Sequence, residues 1–100
     1  MSDNFNKLTP KQTEILTCIA EECSELIHII CKTLRHGLDN YDPTKPTKIT
    51  NQTQITNEIG DLCKTIDLAF KNRIISAIKV SGAYSKPKST IYFHHLNDME

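Results

Sequence analysis

An all-α fold is what this 100-residue chain predicts: a helical bundle of two long helices and a short third, its four-helix core completed by oligomerisation. Three observations predict it. Apolar residues recur at three- and four-residue steps over two long stretches, strict two-residue alternation is absent, and capping residues mark the ends of the stretches. At this length the chain makes one domain, residues 1–100,. Apolar residues make up 38% with 3 glycines besides, against about 45–50% apolar plus glycine in an average globular chain. A core that lean favours partner subunits, metal or substrate as sources of extra stability.

The first helix is expected over about 10–36. Thr9 serves as N-cap, Pro10 occupies N1 where its missing N–H costs nothing, and Gln12 at N3 completes a capping box,. Gly37, after Lys32, Arg35 and His36, supplies a left-handed C′ position with cations in the last turn,. Between them Ile15, Leu16, Ile19, Ala20, Cys23, Leu26, Ile27, Ile30 and Leu34 form an apolar stripe,.

A loop is expected over about 37–49, where Asp42-Pro43 and Lys45-Pro46 exclude helix and strand,. Thr50 or Asn51 caps a second helix over about 50–71, with Ile55, Ile59, Leu62, Ile66, Ala69 and Phe70 at helical spacing,. A short third helix and a tail fill about 73–100, with Gly82 and Pro87 closing the helix,.

Twelve Lys plus Arg balance twelve Asp plus Glu, which disfavours a general nucleic-acid binder. No stretch approaches the ~20 apolar residues of a membrane span. Residues Met1 to Leu8 carry neither a basic region nor an apolar run, so a cytoplasmic setting is expected, the host cytoplasm if the chain is viral,. In a reducing compartment Cys18, Cys23, Cys31 and Cys63 are expected as buried thiols, not disulfides,.

The acids carry the functional signal. Glu21-Glu22-Cys23-Ser24-Glu25 lies mid-way along the first helix and Glu58-Ile59-Gly60-Asp61 mid-way along the second. Acids three residues apart share a helix face and repel unless something cationic lies between them. At ~100° per residue, Glu22 and Glu58 fall ~20°, and Glu25 and Asp61 ~80°, outside the edge of their own apolar stripes, in the same rotational sense. If the stripes pack together, four carboxylates converge, and oxygen ligands of that kind suit Mg²⁺ or Mn²⁺. The alternative is four solvated surface acids on amphipathic helices. Gly60, costly in mid-helix, suggests a close approach of backbone or ligand,.

The acid pattern resembles the EExxE…ExxD signature of the all-α nucleoside triphosphate pyrophosphohydrolases, the MazG-like and dimeric dUTPase superfamily. The stretch Ile30 to Asp39 and the run Asp61-Leu62 to Asp67-Leu68 are also similar to short MazG-like proteins of phages and bacteria. The resemblance covers roughly residues 15–70, and the spacer between Glu25 and Glu58 is longer than in many members. It implies hydrolysis of a nucleoside triphosphate, with a deoxynucleoside triphosphate as the expected substrate, to the monophosphate and pyrophosphate by a homodimer or homotetramer with Mg²⁺ or Mn²⁺. It also implies Glu22, Glu25, Glu58 and Asp61 as metal ligands. Glu21 and Glu25 are the candidates for accepting the proton of the attacking water, with nothing to choose between them. Lys32, Arg35 and Lys64 are candidate phosphate contacts, or else solvated cations,. Tyr41 either stacks on the base or packs on a helix. His28 and His36 read as ordinary, partly exposed histidines.

Two other classes compete. Glu25-Leu26-Ile27-His28 is an ExxH, and a homodimer supplying Glu25, His28 and Glu58 twice would meet the ligand count of a di-iron carboxylate bundle,. A non-catalytic helical interaction module needs no metal at all.

Overall fold

The computed structural model describes residues 5–86, which form three α-helices. They are α1 (Pro10–His36), α2 (Asn51–Lys71) and α3 (Ala77–Ser85). The tail expected from Lys86 onward lies, beyond residue 86, outside the described residues. Among those residues no strand is formed, and no helix is long and apolar enough to cross a membrane.

The capping box forms as the sequence predicts. Gln12 N–H donates to Thr9 Oγ1 at 3.1 Å and Thr9 N–H donates to Gln12 Oε1 at 2.9 Å. Thr50, not Asn51, caps α2, its Oγ1 accepting from Thr53 N–H at 3.2 Å. At the end of α1, Gly37 N–H donates to Thr33 O at 2.7 Å, but Gly37 takes φ 90° and ψ 165°. That is an extended conformation with positive φ, essentially reserved for glycine, not the left-handed helical one expected. It turns the chain straight onto the start of α2.

The end of α2 is a Schellman motif without glycine. Arg73 N–H bonds Phe70 O at 3.1 Å and Ile74 N–H bonds Ala69 O at 2.9 Å, with Arg73 at φ 58°,. This turn takes residues that the sequence reading gave to the third helix, so α3 starts later, capped by Ser76 Oγ on Lys79 N–H at 3.2 Å. Gly82 lies inside α3 instead of closing it.

Helices α1 and α2 pack as an antiparallel hairpin. Gly37 meets Asn51 at the closed end, while Glu22 reaches Glu58 and Asp61 further along. The shielded positions step by three and four residues: Gln12, Ile15, Ile19, Glu22, Leu26, Ile29 and Thr33 on α1, and Asn51, Ile55, Glu58, Leu62, Thr65 and Ala69 on α2. This is the spacing of a coiled-coil seam. Ala69, near the end of α2, is fully buried.

The seam follows one edge of the expected α1 stripe and includes Ile29, 4% exposed, which the stripe left out. The other edge stays open, with Ile27 61% and Leu34 82% exposed. The cysteines are free, as expected, but Cys18, Cys31 and Cys63 are exposed and Cys23 is half-buried. They were expected to be buried, and they miss burial because they sit off the seam.

Candidate metal centre

The rotation of the seam decides where the acids lie. Glu22 and Glu58 occupy seam positions, one on each helix, instead of the flank that stripe-on-stripe packing predicts. Glu25 and Asp61, offset in the same rotational sense on antiparallel helices, stand exposed along one flank of the pair. One oxygen from each of Glu22, Glu58 and Asp61 lies within 4.8 Å of the others. Three of the four expected ligands are therefore brought together. Glu25 stands outside this triad, with its carboxyl close enough to influence the protonation of Glu58.

The electrostatics follow from this crowding. Loss of hydration raises the Glu22 carboxyl above its ordinary value, and the charges of Glu25, Asp61 and Glu21 push it further,. Glu58 is raised by the same loss of hydration, then by the neighbouring Glu25 carboxyl, which favours its protonated form, and by the charges of Glu25, Asp61 and Glu22. One oxygen of each, Glu22 Oε2 and Glu58 Oε2, is sealed from solvent with no hydrogen-bond partner. Polar atoms in that condition are costly. Asn51 shares this condition in part, its Oδ1 buried without a partner while its Nδ2 bonds Gly37 O at 2.9 Å, but the seam threonines behave differently. Thr33 and Thr65 satisfy their hydroxyls on Ile29 O at 2.7 Å and Asp61 O at 3.0 Å, within their own helices. A glutamate at a seam position has no such outlet. The donor set, all carboxylate oxygen, fits a hard divalent cation such as Mg²⁺ or Mn²⁺.

The remaining candidates are more dispersed. Glu21 is exposed and acts on the cluster only as a further negative charge. Lys32 is half-buried and two turns beyond Glu25, ~10 Å along the axis on the same side of α1,. Its charge also helps to hold Asp42 of the loop below the usual carboxylate range, after the Thr44 hydrogen bonds that do most of it. Arg35 and Lys64 are exposed, as are His28 and His36. His28 is not part of the triad. Gly60 has nothing within 4 Å of where a Cβ would stand, so no close approach explains it within the protomer.

The loop is anchored away from the acids. Asn51 N–H donates to Asn40 O at 2.8 Å, Gln52 N–H to Leu38 O at 3.0 Å and Asn51 Nδ2 to Gly37 O at 2.9 Å. Tyr41 pairs with Thr50 in an isolated antiparallel bridge, with Lys48 Nζ 4.8 Å from its ring centroid. An open depression of about 810 Å³ runs beside it, lined by His36 to Tyr41 and Pro43. From Glu25 to His36 the helix climbs ~16 Å, so Tyr41 is not beside the carboxylates of its own protomer,. Asn51, fully buried, is the residue sequence reading undervalued: it was weighed only as a cap. Its signal was its place seven residues before Glu58, in the same seam row.

No family model, curated protein or solved structure matches the chain.

Proposed function

We propose that the chain is a metal-dependent nucleoside triphosphate pyrophosphohydrolase of the MazG-like type, acting on a deoxynucleoside triphosphate. The observation that carries the reading is the pair of sealed, unpartnered glutamate oxygens, one from each helix, grouped with Asp61. Glu22, Glu58 and Asp61 hold Mg²⁺ or Mn²⁺, with Glu25 beside them. Bound metal supplies charge neutralisation of the triphosphate and a more acidic water.

The protein's own groups do the rest. Rigid helices keep the carboxylates in place, and the exposed flank admits substrate beside Glu25. Glu25 accepts the proton of the attacking water, a role its exposed place beside Glu58 suits better than the outlying position of Glu21,. Lys32, on the same side of α1, contacts the phosphates, with Arg35 and Lys64 as outer cations,. Tyr41 and its depression are the candidate base contact, at a distance from the acids that calls for the loop to move or for a second protomer to present it. The di-iron reading is weaker, because His28 is exposed and outside the cluster.

The protein works as a homodimer or homotetramer. Among the described residues only Ile15, Ile29 and Ala69 are buried apolar side chains. Leu16, Ala20, Cys23, Ile27, Ile30 and Leu34 step by four and three along α1, and Ile59, Cys63, Ile66 and Phe70 do so along α2. Both rows lie in the rotational sense opposite to Glu25 and Asp61, so they share the other flank of the antiparallel pair. A second hairpin on that flank completes a four-helix core.

The test is a pyrophosphate-release assay over a panel of deoxynucleoside triphosphates with Mg²⁺, Mn²⁺ or chelator, with products separated by chromatography. Monophosphate plus intact pyrophosphate is expected. Diphosphate plus phosphate alone would exclude the pyrophosphohydrolase reading.

A further inference from the structure

We propose that the groove at the turn between α2 and α3 is the docking site for this chain's own residues 96–100, its cations pairing with Asp98 and Glu100 and its apolar floor taking Leu96 and Met99. This contact needs no metal ion. The open groove, about 590 Å³, has Phe70, Ile74, Ile75 and Ile78 along it, with Arg73 and Lys79 beside them. Phe70, Ile74 and Ile75 are half-buried, and Ile78 is 84% exposed. No residue of α3 is buried. An apolar patch left open with polar groups at its rim marks an interaction site.

Charge selects the occupant. Lys71 is paired with Asp67 at 3.1 Å, whereas Arg73 and Lys79 have no ion-pair partner among the described residues. Between Asp67 and Asp98 the sequence holds Lys71, Arg73, Lys79, Lys86 and Lys88 and no acid. The acids that end this run stand in Leu96-Asn97-Asp98-Met99-Glu100, outside the described residues, each beside an apolar side chain. That composition complements a groove of apolar floor and cationic edge. The groove also opens at the start of α3, where the helix dipole favours a carboxylate,. Reach is sufficient. Helix α3 has nine residues and is ~13 Å long, whereas the ten steps from Lys86 to Leu96 span up to roughly 33 Å, so the segment can return along α3 to the groove,. Tethering favours the chain's own segment over a second copy's, because a short linker holds it at roughly millimolar effective concentration.

Methyl NMR on the full chain, with Ile, Leu and Met methyl groups labelled, tests this. Nuclear Overhauser contacts are expected between the Leu96 or Met99 methyls and those of Ile74, Ile75 or Ile78. Asp98→Asn combined with Glu100→Gln should abolish them, and Lys79→Gln should weaken them from the groove side. Absence of such contacts in the wild type overturns the proposal. Contacts of undiminished intensity in the charge-neutral variant overturn it too, since charge would then not select the occupant. A sample mixing Ile-labelled protein with Leu- and Met-labelled protein decides between copies. Silence is expected there; contacts appearing in that sample would give the groove to a second copy's segment and contradict docking within one chain.

Discussion

The closed end of the hairpin and the middle of its seam both bury polar groups, but the closed end hydrogen-bonds most of them, Asn51 Oδ1 excepted, while mid-seam crowds carboxylates against one another. At the closed end Asn51, Gln52, Gly37, Leu38 and Asn40 exchange hydrogen bonds of 2.8 to 3.0 Å, and Asp42 accepts from Thr44 N–H and Oγ1 at 2.9 and 2.6 Å. Those bonds pull Asp42 below its ordinary value. In mid-seam the carboxyls of Glu22 and Glu58 are pushed up by lost hydration and by one another's neighbours. A group lowered by its partners contributes to the fold. A group raised by burial and like charge costs stability, a cost that the proposed ion would offset.

The largest effect expected is on turnover. Glu58→Gln or Asp61→Asn should remove metal-dependent pyrophosphate release by more than the ~10- to 100-fold that loss of an outer partner costs a metal site. Wild-type rates in both variants would erase the distinction between the two regions. Next comes stability: Asn51→Ala should lower it by about 1–3 kcal/mol through the lost buried hydrogen bond, leaving Mn²⁺ affinity unchanged. In chelator, Glu58→Gln should instead raise the melting temperature. Calorimetric melting of both variants checks the opposite signs.

The pH response follows the same division. A carboxyl whose pKa is raised on folding binds protons more tightly in the native state, so stability falls as pH rises from the ordinary glutamate value of 4.5 through the raised one,. Metal-free protein should therefore melt higher at mildly acidic pH than at neutrality, and added Mg²⁺ should flatten the difference. Asp42 has the opposite sign, its contribution present above 3.8 and lost as pH falls through its lowered value,. The smallest effect is local: Thr44→Val should return Asp42 toward 3.8 without moving Glu22 or Glu58, as read by carboxyl NMR titration.

The helix ends were legible because capping is local chemistry. Thr9, Pro10 and Gln12 satisfy one another within a single turn, and Thr50 does the same at α2. The grouping of the acids was legible from spacing alone, since register along a helix is fixed geometry. Seam rotation was not, because it depends on which edge of a wide stripe the partner helix covers, and that edge is chosen by small or polar residues such as Ala69, Thr65 and Asn51. The same blindness hid Ile29 and misjudged the cysteines. Arg73 was unreadable for another reason: a left-handed residue at a helix end is usually glycine, and nothing in an arginine announces it,.

The claim at the centre of this account is that Glu22, Glu58 and Asp61 bind one divalent ion between the helices. Diffraction from Mn²⁺-soaked crystals at the manganese absorption edge tests it most directly. The account predicts an anomalous peak bounded by those three side chains; a well-ordered seam with no peak there, or manganese bound only elsewhere, would contradict it.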